Sequence, residues 1–452
     1  MIGRNPEMKY LQSFYDRSEG QALVVYGEQG VGKRSLLQEF SRNKKVYSFQ
    51  GRTLSEKELA YQWYLELGNT FPATDHDVTY SEILQSLLRD TAEKIVLIIY
   101  DFEYLLKAGD DFMESISHLF EQTISVQIIL VSSSVGFVEH TMVSYLGEYA
   151  SLIQGILKLK PLGFREFSEY FKENEFSEQI KMYAVLGGFS DRWNFFQPGL
   201  SFHENMCRNY LSKKMRLATA GLDYADRVLR ETSVYHTILS GLASGKNKLH
   251  DLFLQTEFPR AKISVYLKNL IDLELVEKVV SFPIGEENLR KGIYRISNPF
   301  VLFYFTYIYP NLTAFNEYTA EAFFEKFVNP FLDYYMIQCY SRVCLAYMQE
   351  LNKKKELPLH LKETGFWLGK SGLIDFVGRD ENGKFITGGC HYGAGGFTES
   401  DFTWFQFCLD QAGITPDYIY LFSMTGFDQA VMKRVAKDPS LVLMDTARGF
   451  ER

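Results

Sequence analysis

Gly27-Glu28-Gln29-Gly30-Val31-Gly32-Lys33-Arg34-Ser35 is the stretch on which the reading of this chain turns. Before it, Ala22-Leu23-Val24-Val25-Tyr26 has the apolar run of a short buried strand; after it, Ser35 through Phe40 reads as the start of a helix. The spacing G-x4-G-K on a strand, loop and helix is that of a phosphate-binding loop. Three glycines let the backbone curl so that successive N–H groups point at one anion. The helix adds the positive end of its dipole, and Lys33 a point charge for the outer phosphates. The residues expected to hold a nucleoside triphosphate are therefore Gly27, Gly30, Val31, Gly32, Lys33, Arg34 and Ser35. One position departs from the pattern. The hydroxyl that normally follows the lysine and ligates Mg²⁺ is replaced by Arg34, and Ser35 lies one step on, rotated by about 100° along a helix. The pattern supports nucleotide binding but not efficient hydrolysis; a weak ATPase is the most that the altered Mg²⁺ and base positions suggest.

Beyond the loop, strand-like and helical runs alternate. Val46 to Phe49 is a short strand and Glu56 to Leu67 a helix; Lys94 to Tyr100 is a continuous apolar strand of the kind buried inside a parallel sheet. Val126 to Val131 is interrupted only by Gln127. This alternation predicts a doubly wound α/β sheet with its site at the strand carboxyl ends. The acidic motif expected there reads Tyr100-Asp101-Phe102-Glu103. Asp101 and Glu103 are the candidate catalytic carboxylates, and would share a side if the strand continued through them. With Asp101 as the metal-organising residue the adjacent base position is Phe102; with Tyr100 at the metal position Asp101 stands where the base should be, so neither alignment gives an adjacent Asp-Glu pair. Ser35 and Asp101 are the oxygen donors left for a weakly held Mg²⁺. Ser132-Ser133-Ser134 either faces a terminal phosphate or caps the helix that follows near Val135.

At 452 residues the chain suits two or three domains, and 46% hydrophobic residues make it globular throughout. A net charge of −8 exerts no general pull on nucleic acid. Cys207, Cys339, Cys344, Cys390 and Cys408 form neither a C-x-x-C pair nor a zinc pattern, which predicts reduced thiols in a cytoplasmic protein. The start, Met1 to Glu7, lacks the apolar core of a signal peptide, and no run is long enough to span a bilayer, so no membrane association is expected.

Taken in order, Ile2-Gly3-Arg4 with Glu7, the loop with Leu36-Leu37, Asp101-Phe102-Glu103-Tyr104-Leu105, Ser132 to Ser134, Lys160-Pro161-Leu162 with Phe164 and Glu166, and Gly187-Gly188 resemble the prokaryotic "archaeal ATPase" group of AAA+-type P-loop proteins. The resemblance runs through nearly the whole chain. It implies ATP as the ligand, a winged-helix segment in the middle, and a C-terminal domain similar to the restriction-endonuclease-like fold. The domains expected are 1–200, nucleotide-binding; 201–312, helical and winged helix-turn-helix; and 313–452, a degenerate endonuclease-like domain.

The middle segment fits that order. Tyr235 to Ala243, Lys248 to Leu254 and Pro259 to Leu273 read as three helices, the last with Ile263, Leu267 and Leu270 on one stripe. Leu275 to Val280 and Gly292 to Ile296 read as paired strands, with Pro283 to Asn288 between them. A DNA-binding version would offer Arg260, Lys262 and Lys268 to the major groove. Acidic residues nearly match basic ones here, which points instead to a lid or protein-docking role. The aromatic run Phe300 to Tyr309 is read as core.

In the C-terminal part, the endonuclease-like pattern would want a metal-binding Asp on one strand and Glu-x-Lys on the next. Asp375 matches the first; Gly389 and His391 fall on the other two. One carboxylate cannot build a two-carboxylate metal site, so nuclease activity is not expected.

The leading reading is an ATP-binding switch with slow or absent hydrolysis, whose output is a change of protein partner or of self-association. The alternative is a DNA-associated winged-helix regulator with a vestigial ATPase core.

Overall fold

The structure, a computed structural model, describes residues 2–17, 20–67, 77–88, 94–121, 126–213, 217, 231–283, 292–370, 372–447 and 449–450. The chain divides into two compact units, Met1–Leu162 with Phe189–Asp191, and Gly163–Gly188 with Arg192–Arg452.

The first unit is built on a five-stranded parallel sheet. Its strands are β1 (Gln21–Tyr26), β2 (Lys45–Gln50), β3 (Ile95–Tyr100), β4 (Val126–Ser132) and β5 (Ile153–Lys158), in spatial order β2-β3-β4-β1-β5. Period-two alternation divides the strand residues between two cores. Val24, Leu97, Ile99, Ile128 and Leu130 enter one, and Leu23, Val25, Val96, Ile98, Ile129 and Val131 the other. Helices α1 (Asn5–Tyr15) and α2 (Lys33–Phe40) cover the second face through Leu11, Phe14, Leu36, Leu37 and Phe40. On the first face lie α3 (Glu56–Glu66), α4 (Tyr80–Leu88), α5 (Glu103–Ala108) and α6 (Asp111–Glu121). There Trp63 stacks on Phe49, ring centroids 4.2 Å apart.

Gln127 is the polar interruption seen in the fourth strand. It is fully buried, and neither atom of its amide finds a hydrogen-bond partner among the described residues. Gln127→Met removes that desolvated amide at nearly constant volume, and should stabilise the protein by about 1–2 kcal/mol in urea unfolding. A loss of stability would mean the amide is satisfied in solution.

In the second unit, helices Thr232–Ala243, Leu249–Thr256 and Arg260–Asp272 precede a two-stranded antiparallel ribbon of β6 (Val276–Val279) and β7 (Ile293–Ile296). Ile263, Leu267 and Leu270 form the buried stripe expected of the third helix. Of the connection expected between the strands, 284–288 lies outside the described residues. The aromatic run is core: Phe300, Phe303, Tyr304, Phe305 and Tyr307 are all buried, behind an Asn298 cap that accepts from the N–H groups of Phe300 and Val301. After the long helix Leu332–Lys354 comes a separate mixed sheet of β8 (Leu361–Leu368), β9 (Leu373–Asp380), β10 (Phe385–His391), β11 (Tyr418–Ser423) and β12 (Leu441–Asp445), ordered β12-β11-β10-β9-β8. Strands β8 to β10 pair antiparallel, β10 to β12 parallel. The fold is α/β in both units. Among the described residues no helix is long and apolar enough to cross a membrane.

Candidate functional site

The loop between β1 and α2 has the backbone that its glycines predict. Gly27, Gly30 and Gly32 all have positive φ, 151°, 90° and 92°. Two of these positions are also sterically closed to a side chain. A Cβ on Gly27 would lie 2.2 Å from the Leu159 carbonyl oxygen, and one on Gly32 2.4 Å from Ser190 Oγ. Gly32 is the N-cap of α2 and provides no side-chain cap, so the first N–H groups of that helix open toward the loop.

Lys33 is buried and curls back over the loop, donating to the carbonyl oxygens of Gly27 at 2.6 Å and Glu28 at 2.9 Å. Burial lowers its pKa to about 8, against the pull of Asp191, Asp101, Glu103 and Glu28. It therefore still carries its charge at neutral pH. Arg4 braces the loop from below: one guanidinium nitrogen donates to the carbonyl oxygens of Val31 and Lys160, and another pairs with Glu7.

Arg34 turns along the carboxyl edge of the sheet. Its guanidinium carbon sits 4.3 Å from the centre of the Tyr100 ring, and Nη2 donates to Gln50 Oε1 at 3.2 Å. Gln50 in turn donates through Nε2 to Asp101 Oδ2 at 2.5 Å. Ser35 donates to Asp191 Oδ1 at 3.0 Å, and the Asp191 N–H to the Gly30 carbonyl.

The two candidate carboxylates are not disposed as a continued strand would place them. β3 stops at Tyr100; Asp101 takes a left-handed turn at φ 50°, and Glu103 opens α5. Burial raises the Asp101 pKa, opposed by the Gln50 hydrogen bond and by Lys33 and Arg34. Glu103 is 6% exposed, and among the described residues its Oε2 has no hydrogen-bond partner. Burial, helped by the charge of Asp101, pushes its pKa up to about 7. Ser132 Oγ accepts the Ser134 N–H at 2.9 Å in a local turn, and the Ser132 side chain also hydrogen-bonds the Glu103 carboxyl.

A family model described as DUF234, "Archaea bacterial proteins of unknown function", matches residues 304–400. An uncharacterized protein of Methanocaldococcus jannaschii is 25% identical over 397 residues, 85% of each chain. Among solved structures, the Walker-type ATPase of Pyrococcus abyssi aligns at 17% identity over 68% of this chain and 96% of that one, with a TM-score of 0.49. The Aeropyrum pernix ORC2 protein, in its ADPNP–ADP complexes, aligns at 14% identity over 68% and 92%, with a TM-score of 0.45.

Gln50 and Asp191 join the loop without having stood out in the sequence. Gln50 arrives because β2 lies beside β3, and Asp191 because Phe189–Asp191 packs with the first unit. In the C-terminal sheet, Asp375 accepts from Ser341 Oγ at 2.6 Å and from the Cys390 N–H at 2.9 Å. A Cβ at Gly389 would already stand 3.0 Å from the Phe405 ring, which leaves little room for a carboxylate there. His391 faces Asp401, Nδ1 to Oδ2 3.5 Å.

Proposed function

We propose that this chain binds ATP on the loop Gly27–Ser35 and acts as a nucleotide-dependent switch with slow or absent turnover. The observation that carries the reading is the loop itself: three glycines with positive φ, a helix with an uncapped amino end, and a buried, charged Lys33 beside it. Such an assembly is an anion site whatever the rest of the protein does. Slow turnover is inferred from the acidic positions. Asp101 is tied to Gln50, and Glu103 is an enclosed carboxyl rather than a base exposed to water.

Three helices followed by an antiparallel ribbon support the winged-helix reading of 232–296, within the proposed division 1–200, 201–312 and 313–452. A C-terminal endonuclease-like sheet without its chemistry is part of the same reading, supported by the hydrogen-bonded Asp375 and the crowded Gly389.

A DNA-associated regulator is the competing reading, and two observations weigh against it. Lys262 is paired with Glu231 at 3.6 Å, and the helices that would meet DNA expose Leu254 and Val265, 63% and 58%. That surface suits a protein partner better than a phosphate backbone. Duplex binding that weakens with salt, and is lost on replacing Lys262 and Lys268, would restore the DNA reading.

A thermal-shift titration tests the main proposal. At a hundredfold excess over its dissociation constant, ATP should add about 2.7 kcal/mol to the stability of the wild-type protein. Lys33→Ala should melt normally and show almost none of that gain. A wild-type protein indifferent to every nucleotide would end the proposal.

A further inference from the structure

We infer that the nucleotide bound here needs no divalent cation, because the Arg34 guanidinium occupies the electrostatic place of Mg²⁺. The inference rests on the nucleotide-binding reading above and concerns how the same site balances phosphate charge.

The residues present do not fit a Mg²⁺ ion. That ion wants near-octahedral oxygen ligands at about 2.0–2.1 Å, several of them water, anchored by one or two protein oxygens. Directly after Lys33 the chain offers a cation with no lone pair to give. At the end of β3 it offers Tyr100, a phenol whose pKa burial raises further, so that it stays neutral. The Ser35 hydroxyl, one helix step beyond the usual ligand position, donates to Asp191, and Gln50 takes one of the two Asp101 carboxylate oxygens. Among the described residues no three His, Cys, Asp or Glu side chains converge to hold a metal ion.

What stands there instead is a built cation. The Arg34 side chain lies on the Tyr100 ring and bonds Gln50, which bonds Asp101, so its position is set from three neighbouring residues rather than left to a flexible stem. Stacking and a fixed fork are what distinguish arginine from lysine as a phosphate ligand. Arg34 is an exposed residue, with guanidinium N–H groups beyond the one used on Gln50. Lys33 and Arg34 thus flank the loop as two successive charges at the amino end of α2, and the second replaces the bridging ion.

The test is a titration of the full-length protein with a fluorescent ATP analogue, in excess Mg²⁺ and in EDTA. Wild-type affinity should agree between the two buffers to within about threefold. Arg34→Ser, which restores the usual hydroxyl, should bind about ten- to a hundredfold more weakly in EDTA, the loss expected for a charge-assisted contact, and should regain affinity when Mg²⁺ is added. Arg34→Lys keeps the charge without the planar fork and should fall between them. Wild-type binding that appears only with Mg²⁺ would overturn this inference while leaving the proposed function intact. No binding in either buffer would overturn both.

Discussion

Gly27→Ala should destabilise the N-terminal unit by about 3 kcal/mol or more. Two costs add. The backbone at Gly27 has φ 151°, which a residue with a Cβ rarely adopts, and the new methyl would meet the Leu159 carbonyl oxygen at 2.2 Å. That oxygen belongs to backbone, which cannot rotate away as a side chain would. The Leu159 N–H donates to the Tyr26 carbonyl at 2.7 Å, so relief requires the carboxyl ends of β1 and β5 to part. Gly147→Ala separates the two costs. Gly147 also has positive φ, 52°, but open space around its Cβ position, and its substitution should cost about 1–2 kcal/mol. Urea unfolding of both variants is the measurement. Equal losses would show that the contact with Leu159 contributes nothing.

Glu103→Gln should raise the stability of the protein at pH 8 and leave it little changed at pH 5. The sign follows from the raised pKa. Between the ordinary glutamate value of 4.5 and about 7, the folded protein keeps a proton that the unfolded chain has released. Stability therefore falls as pH rises through that window, and the loss is complete above about 7. At 1.36 kcal/mol per unit the full difference approaches about 3 kcal/mol, an order-of-magnitude figure. The physical cause is a carboxylate 6% exposed, with one oxygen unpartnered among the described residues and Asp101 nearby. Glutamine has the same shape and no charge to desolvate. Melting temperatures of the two proteins should diverge from pH 5 to pH 8; parallel curves would show that Glu103 is ionised at little cost.

The same two positions illustrate how legible the site was. Gly27 could be read as essential because its role is local: a strand, a tight loop and a helix lie within a few residues of one another, and glycine is the residue that such a backbone requires. The continuous apolar run of β3 announced a buried parallel strand for the same reason, since both of its faces are covered. Glu103 was legible as a candidate but not in its state. Alternation would have set it beside Asp101 had the strand continued, whereas the chain turns at Asp101 and starts α5.

Residues close in the chain were enough to determine the phosphate loop, the missing hydroxyl at Arg34, the apolar strands and the buried stripe of Arg260–Asp272. Backbone conformation and amphipathic period are properties of a few consecutive side chains, so they survive in a one-dimensional string. Folding in three dimensions settled everything that depends on distant partners. Asp191 meets Ser35 across 156 residues of chain, and Arg4 reaches Lys160 across the same separation. Gln50 reaches Arg34 and Asp101 only because strand β2 is laid against β3. Hydrogen bonds and charge–charge contacts act over a few ångströms regardless of sequence distance. No local pattern could have shown which carboxylate Ser35 would answer to, or that the arginine beside Lys33 would come to rest on a tyrosine.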